Sequence, residues 1–262
     1  MLGICRKCIY YSPRLPSKDK VLVDQIHQGH VERPEYGQKR MALHLDINHK
    51  RVERVMRLNQ IRRPRGRRKS YSCTVSATNH SYTNLIKDLP KSTAPIPHQI
   101  WVCDTSYFKF KGRFWYLMTI MDRDTRQILS AWVGKHHNAS LTLQCVKQAI
   151  MAAGALPNYF HTDQGKEFMA QAVTHYLELQ GVNISVSKKA SPWENGHQES
   201  FFGRFKDEFG DINRFDTDGQ LIEEIYQRIH YYNHDRIHTS LKMPPTVYAK
   251  LLSDNLSHKR GT

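Results

Sequence analysis

Three carboxylic acids occur at positions where the sequence predicts that they can share a site. Asp104 lies inside the apolar run IWVCDTSYF, Asp163 follows a short apolar segment in HTDQGKEF, and Glu199 lies on a predicted helix over 194–209. Burying a carboxylate between apolar neighbours costs free energy of desolvation unless a partner offsets that cost. Three acids brought together repel one another, whereas with Mg²⁺ they form a site for two ions that activate a nucleophile and stabilise a leaving oxygen at phosphorus. The alternative for each acid alone is a surface carboxylate or a helix cap.

The elements that must position these acids follow from hydrophobic periodicity. Strands are predicted at 99–109, 114–121, 127–133, 159–161 and 183–187. Helices are predicted from Ser140 to a stop at Gly154 and Pro157, and over 167–180, 194–209 and 220–233. The first three strands are close enough in sequence to form an antiparallel meander, and the rest alternate with helices. This order predicts an α/β fold.

The helix 194–209 has two distinct faces. Phe202, Phe205 and Phe209 recur at i, i+3 and i+7 and predict a core-facing stripe. Glu199 and Lys206 share an adjacent face, so that Lys206 is placed to bind a substrate phosphate or Glu199 itself.

Several other polar residues favour structural roles. Asp122 and Asp124 flank a predicted hairpin turn, and Glu167 is predicted to open a helix. His161 and His197 lie near the acids in sequence, either as supporting or DNA-contacting groups or as structural residues.

Charge gives the first indication of a partner. The chain has 262 residues with 39 Lys+Arg against 24 Asp+Glu, a net charge of +15. Residues 1–70 hold 18 basic and 6 acidic residues, so most of the excess lies at one end. A basic stretch of this kind favours a polyanion, nucleic acid above all, over a merely solvated surface.

The basic end is predicted to be helical. Asn48 is a suitable N-cap, and Val52, Val55 and Met56 form a buried stripe in the helix that follows. Lys50, Arg54 and Arg57 recur at i, i+4 and i+7 on another face. A three-helix unit with a basic last helix favours a helix-turn-helix docked on DNA, the alternative being a solvated helical hairpin. The resulting predicted divisions are a helix-turn-helix-like region at 1–61, a basic and polar linker at 62–97 that tracks phosphate or stays mobile, a catalytic core at 98–212 and a helical extension at 213–262.

Other classes of protein are disfavoured. Cys5 and Cys8 form a CxxC without a second pair of ligands, so packing is favoured over zinc binding. Five scattered cysteines indicate a reducing compartment rather than a disulfide scaffold. No apolar run reaches the roughly 18 residues of a membrane span, and no secretory signal is expected.

These residues together resemble a known family. Asp104 in WVCDTSY, Asp163 in HTDQGKEF and Glu199 in SPWENGHQESFFGRFKDE resemble the three acids of the integrase-like (DDE) transposases, and 35 residues separate the last two. YYNHDRIHTSLKMPPTVY (231–248) resembles the tail motif of bacterial insertion-sequence transposases, and YGQKRM with NHKRVERVMRLNQI resembles their helix-turn-helix segment. The similarity covers about residues 20–250 and is greatest to the insertion sequence 3 family, in the protein of the second reading frame. SPWENG departs from the usual form of its segment.

The resemblance implies a ribonuclease H-like core that cuts and joins DNA at element ends. It implies Mg²⁺ dependence, with Mn²⁺ as a substitute, and metal binding by Asp104, Asp163 and Glu199. Water attacks one phosphodiester to free a 3′-OH, which then attacks another, with no covalent protein–DNA intermediate. The residues expected to contact DNA are basic: Arg40, Lys50, Arg51, Arg54, Arg57, Lys206, Arg236 and His238.

The resemblance also sets expectations for partners. We expect a homo-oligomer on DNA, no membrane partner, and a cytoplasmic, nucleoid-associated protein of bacteria. The chain begins within the recognition segment, so we expect largely non-specific DNA binding by itself and end recognition through the upstream-frame protein or a fusion with it. Two rivals remain: a repressor with an inactive core, and a host nuclease that cuts without joining.

Overall fold

The computed structural model describes residues 15–62, 82–87, 89, 95–187 and 196–260, with only the backbone at 15–18 and 257–260. The chain separates into two compact units, residues 1–65 and 66–262, and each is described by itself.

The N-terminal unit contains three described helices, as predicted. They are α1 (Leu15–Glu32), α2 (Gln38–His44) and α3 (His49–Leu58). Asn48 caps α3, because its side chain accepts a hydrogen bond from the backbone N–H of Lys50 at 2.9 Å. Val52, Val55 and Met56 are buried as their spacing predicts. The predicted CxxC lies outside the described residues.

The second unit is built on a five-stranded mixed sheet. Its strands are β1 (Ile100–Phe110), β2 (Arg113–Asp122), β3 (Ile128–Gly134), β4 (Tyr159–Thr162) and β5 (Asn183–Val186). The order across the sheet is β3-β2-β1-β4-β5, in which β1, β2 and β3 form the predicted antiparallel meander and β4 and β5 run parallel to β1. The predicted α/β fold is therefore confirmed.

Five helices and one short 3₁₀ turn complete the described part of this unit. They are α4 (Ala139–Ala153), α5 (Gln171–Leu179), α6 (Gly196–Phe209), the 3₁₀ turn Ile212–Arg214, α7 (Asp218–His234) and α8 (Pro245–Arg260). The cap of α4 is Asn138 rather than Ser140, since the Asn138 side chain accepts from the N–H of Leu141. The helix α5 begins four residues after Glu167, so the predicted role of Glu167 at a helix start is wrong. The helix α8 lies within the predicted helical extension at 213–262, although its own bounds were not predicted.

Helices cover both faces of the sheet and create two apolar layers. Alternate residues of β1, such as Val102 and Phe108, face one layer with α6 and α7. The intervening residues, such as Trp101 and Cys103, face the other layer with α4 and α5. Because Asp104 shares the side of Val102, the strand directs it toward the layer that contains α6.

Segments on either side of the predicted core also pack on it. Residues 82–87, predicted as linker, lie along β5, where Thr83 O accepts from the N–H of Val186 and Ser185 Oγ accepts from the N–H of Leu85. On α7, which belongs to the predicted extension, Leu221, Ile225 and Ile229 pack in the same layer as α6. None of the helices in the described part of the chain combines the length and apolar character that crossing a bilayer requires.

A buried amide joins α7 to the edge strand of the meander. Asn233 Oδ1 accepts from the backbone N–H of Ile128 at 2.9 Å, and Asn233 Nδ2 donates to the carbonyl of Ile128 at 2.8 Å. We predict that Asn233→Ala lowers the free energy of unfolding by roughly 1–3 kcal/mol, because it leaves two buried backbone groups without partners. Chemical denaturation measures this.

The matched control is Asn183→Ala. The exposed Asn183 also donates from Nδ2 to a backbone carbonyl, that of Asn158 at 3.0 Å. A surface change of this kind is expected to stay within about 0.5 kcal/mol. Equal losses of unfolding free energy in the two variants would show that the buried Asn233 bridge stabilises the fold no more than an exposed amide hydrogen bond does.

Candidate active site

Two of the predicted acids are neighbours across the sheet. In the parallel pair β1–β4, Val102 lies opposite His161. Asp104 and Asp163 are each two residues further along, so they occupy adjacent positions where β4 ends. This is the edge at which α/β sheets gather ligands.

Backbone N–H groups orient both aspartates. The N–H of Thr105 donates to Asp104 Oδ1 at 2.7 Å, and the N–H of Gly165 donates to Asp163 Oδ1 at 2.9 Å. Each carboxylate therefore has one oxygen committed to the backbone, which fixes the side chain and leaves the second oxygen for a ligand.

A buried glutamine places the third acid. Gln198 Nε2 donates to the carbonyls of Val102 at 2.8 Å and Thr119 at 3.3 Å, while its Oε1 accepts from the Thr119 hydroxyl at 3.2 Å. These bonds fasten the first turn of α6 to the centre of the sheet. Glu199, the next residue, is exposed beside Asp104 as a consequence.

Sequence reasoning missed Gln198. The signal was an amide in the same helical stripe as Phe201, Phe202 and Phe205, where a polar side chain must find partners across the interface.

Burial and neighbouring carboxylates oppose the ionisation of both aspartates. Burial, followed by the charges of Asp163 and Glu199, raises the pKa of Asp104 from 3.8 to about 8 despite the N–H of Thr105. The pKa of Asp163 is raised too, by burial and then by Glu167, against the N–H of Gly165 and the charge of His137. Bringing these carboxylates together costs free energy that a bound cation would offset.

The acids are not closed around a common point. Within the described ranges, no three His, Cys, Asp or Glu side chains form a group that could hold a metal ion as they stand. The structure thus brings together the elements that carry Asp104, Asp163 and Glu199 without closing their side chains into a ligand cage.

An unpredicted pair supports the loop after β4. His137 Nε2 lies 2.9 Å from Glu167 Oε1, both side chains are largely buried, and the His137 ring stacks on Tyr116. Glu167 reaches this position by passing directly over Gly165, where a Cβ atom would collide with its carboxylate and with Phe168. A Cβ at position 165 would force Glu167 or Phe168 to move, so Gly165 leaves room for the Glu167 carboxylate. No sequence signal pointed to His137.

The remaining predicted polar residues divide between structure and surface. Asp122 has the predicted turn role, since it accepts from the backbone N–H groups of His98, Asp124 and Thr125. His161 is buried and bonded to Ser185 Oγ at 3.0 Å. His197 is exposed at the start of α6.

Of the predicted DNA-binding residues in this unit, Lys206 is placed as expected. It is exposed on α6, with its ammonium 4.7 Å from the centroid of the Tyr107 ring. His238 is half-buried, with Nδ1 2.9 Å from Ser240 Oγ.

The predicted DNA contact of Arg236 is wrong. Its guanidinium is only 2% exposed and makes two hydrogen bonds to Glu208, at 2.9 and 2.6 Å. An arginine buried in a bidentate pair is a structural group that fastens the end of α7 to α6, and it does not reach a phosphate.

Two of the basic residues of the N-terminal unit are exposed, and three are not free. Lys50 and Arg57 are exposed on α3. Arg54 and Arg51 turn instead to Asp19 on α1, at 2.8 and 3.6 Å. Arg40 is buried with its guanidinium over the Tyr36 ring, so its predicted DNA contact is also corrected.

Comparisons with known proteins agree with this arrangement. Two family models described as integrase core domain match residues 94–192 and 180–245. An uncharacterized transposase-like protein of Haemophilus influenzae is 31% identical over 205 residues, which cover 78% of this chain and 94% of that protein. The transposase for insertion sequence element IS904 of Lactococcus lactis is 29% identical, over 87% of this chain and 94% of its own length.

Among solved structures, the simian T-cell lymphotropic virus intasome in complex with PP2A regulatory subunit B56 gamma aligns with a TM-score of 0.51 at 17% identity. The alignment covers 84% of this chain and 72% of that one. This likeness concerns the fold, which is ribonuclease H-like as predicted. Its reaction class is that of a DDE-type polynucleotidyl transferase that transposes DNA. By its matched domain and its relatives, the chain belongs to the integrase-core transposases of bacterial insertion sequences, of the insertion sequence 3 type.

Proposed function

We propose that Asp104, Asp163 and Glu199 are the catalytic acids and hold divalent metal ions, Mg²⁺ with Mn²⁺ as a substitute, during DNA cleavage and strand transfer. The observation that carries the proposal is the placement of three carboxylates by β1, the end of β4 and α6, where the charges of Asp163 and Glu199 both act on Asp104. Hard oxygen ligands of this kind suit Mg²⁺ and Mn²⁺. When bound, such ions activate an attacking oxygen and stabilise a leaving oxygen at phosphorus.

The chain's own residues prepare this site. The N–H groups of Thr105 and Gly165 hold one oxygen of each aspartate and leave the other for a ligand. Gln198 fixes the backbone beside Glu199, while the Glu199 side chain itself is exposed and free to rotate inward. We infer that ligand binding draws the three carboxylates together, since a cation would offset the repulsion that Asp163 and Glu199 exert on Asp104.

Lys206 supports substrate binding in the proposal. It lies seven residues, about two helical turns, after Glu199 and so projects from the same side of α6. A cation in this position binds a phosphate of the strand that enters the site, and its ammonium lies over the Tyr107 ring.

We predict that Asp104→Asn, Asp163→Asn and Glu199→Gln each abolish cleavage and strand transfer while DNA affinity stays within about threefold, since each removes a metal ligand rather than a phosphate contact. Oligonucleotide strand-transfer assays with Mg²⁺ or Mn²⁺, run beside gel-shift binding, measure both. The control is Asp218→Asn, which alters a half-exposed acid 3.3 Å from Lys135 and is expected to keep full activity.

Each rival function has its own outcome in that experiment. Wild-type protein that cleaves without joining would be a nuclease, and protein that binds without cleaving would be a repressor. Strong strand transfer by any of the three acid variants would overturn the catalytic assignment.

Metal binding is expected to couple to pH through Asp104. The pKa of this group is raised from 3.8 to about 8 in the folded metal-free protein, so its contribution to stability is complete below 3.8 and is lost as pH rises through about 8. We therefore predict that the melting temperature of the metal-free protein falls over this range, and that Asp104→Asn reduces the fall.

Added Mg²⁺ supplies the second measurement. Because the cation competes with the proton for Asp104, it is expected to raise the melting temperature more at alkaline than at acidic pH, and to do so in wild-type and Asp218→Asn protein but not in Asp163→Asn. Equal stabilisation of all three proteins would mean that the ion binds elsewhere.

We further propose that the N-terminal unit binds DNA through α3. Its exposed cations Lys50 and Arg57 lie on the last helix of a three-helix unit, the position of a recognition helix in helix-turn-helix proteins. Arg51 and Arg54 instead join α3 to α1 through Asp19 and fix its orientation.

We predict that the double substitution Lys50→Gln with Arg57→Gln lowers the slope of log affinity against log salt by about 1.8, since each phosphate contact contributes about 0.9 on duplex DNA. Fluorescence anisotropy over a salt series gives the slope. Lys147→Gln, an exposed change on α4, is the control and should leave it unaltered. An unchanged slope in the double variant would exclude α3 from the DNA interface.

The proposed reaction also has consequences for the partners of this chain. Cutting and joining two element ends requires more than one active site, so we infer a homo-oligomer assembled on DNA. A single helical unit with few exposed cations reads few base pairs. We therefore propose that recognition of element ends involves the upstream-frame protein or a fusion with it.

A further inference from the structure

A cavity of about 260 Å³ lies on the flank of α6 away from the carboxylates. Its walls come from three places: the turn between β2 and β3, one face of α6, and the end of α7 with the loop that follows. The side chains that matter are Arg126 from the turn, Ser200 and Arg204 from α6, and Tyr231 and Thr239 from the third wall.

The cavity carries an excess of positive charge. Among the described residues, four arginines line it against one carboxylate, that of Glu208. Arg236 is paired with Glu208, and Arg228 is paired with Glu224 at 2.8 Å. Two arginines are left over, Arg126 and Arg204.

Neither of the two remaining arginines makes an ion pair within the described residues. In that part of the chain Arg126 Nη1 is buried without a hydrogen-bond partner, and burial lowers the pKa of this guanidinium although the charges of Asp124 and Asp122 act to raise it. Arg204 is half-buried and makes no ion pair in the parts of the chain that the structure describes. Buried donors without acceptors are uncommon in folded proteins, and an arginine pair of this kind is suited to an oxyanion.

The cavity is separate from the catalytic acids. Arg204 follows Glu199 by five residues, so the two side chains point roughly 140° apart around α6. With side chains an α-helix is about 10–12 Å wide, which places the body of α6 between the cavity and the carboxylates. A group bound here is therefore not the phosphodiester that reacts.

The size and lining select the ligand. A water molecule occupies about 30 Å³ in the liquid, so the cavity has room for a group of several heavy atoms. The hydroxyls of Ser200, Tyr231 and Thr239 line it together with the guanidinium groups. Arginines and hydroxyls of this kind are the groups that contact the DNA backbone.

We propose that this cavity binds a non-scissile backbone phosphate of the DNA substrate, held by Arg126 and Arg204. The inference rests on the proposed function in taking DNA as the substrate. It assigns α6 two tasks, with the catalytic glutamate on one flank and an anchor for a second point on the DNA on the other. That anchor would fix the orientation of the duplex relative to the acids.

The test measures DNA binding alone, with full-length protein, a short duplex and EDTA, so that no chemistry intervenes. Arg204→Gln and Arg126→Gln are each expected to weaken binding about tenfold, the usual effect of losing a charge-assisted hydrogen bond. Each is also expected to lower the salt slope by about 0.9. Arg204→Lys keeps the charge and should restore the slope, whereas Arg113→Gln, an exposed arginine at the start of β2, should behave as wild type.

Inorganic phosphate is the second probe, compared with chloride at equal ionic strength. It should raise the melting temperature of the wild-type and Arg113→Gln proteins but not of Arg204→Gln. Stabilisation by phosphate with an unchanged salt slope in both glutamine variants would mean a free-anion site and would overturn the proposal, as would no effect on either measurement. Circular dichroism and the melting temperature without phosphate identify any variant that fails to fold. If a glutamine variant fails to fold, the comparison of Arg204→Lys with Arg113→Gln still distinguishes a role of the charge at position 204 from a structural role of its side chain.

The outcome is independent of the catalytic assignment. An unchanged slope removes the anchor and leaves the role of the three acids intact. Full strand transfer by the acid variants would overturn the proposed catalytic roles. The effect of the Arg126 and Arg204 variants on the salt slope of DNA binding would still stand.

Discussion

Carboxylates that oppose the ionisation of Asp104 are held close to it beside the end of β4, and the rest of the second unit must stabilise that arrangement. Asp104 loses much of its hydration on β1 and lies one strand away from Asp163, so the folded state carries an unfavourable interaction at its centre. Such strain persists only where the surrounding structure offsets it. The backbone N–H groups of Thr105 and Gly165 offset part of it, and the two apolar layers supply the remainder.

The helix α6 transmits that stability to the site. Its buried phenylalanines pack against β1 and α7, and each fully buried side chain of this size contributes roughly 1.5–3 kcal/mol. Apolar packing by itself tolerates small shifts along the sheet, whereas the hydrogen bonds of Gln198 with Val102 and Thr119 have one register. The phenylalanines therefore hold the helix on the sheet, and the glutamine fixes where Glu199 lies along it.

The basic residues show that helical spacing alone does not predict which side chains are available to DNA. Lys50, Arg54 and Arg57 are equivalent in helical spacing, yet Arg54 pairs with Asp19, which is 35 residues away in sequence. Arg236 is in the same position with respect to Glu208, which is 28 residues away. An arginine committed to a carboxylate of the fold is less available to DNA, and that commitment depends on contacts between distant segments. Within the described residues, the same accounting leaves Arg126 and Arg204 without an ion pair in the cavity beside α6.

The sequence by itself determined the strands of the meander and the helices that carry the buried stripes, because periodicity is a local property of the chain. Through motifs and their spacing it also singled out the three acids as candidates. It located the cap at Asn48 and the turn at Asp122 for the same reason. Only the tertiary structure decided that Gln198 and the pair of His137 with Glu167 support the site, since their partners lie on other elements. It also decided which arginines are structural and which remain available to an anion, because burial and ion pairing are properties of the packed chain and leave no mark on the spacing of residues.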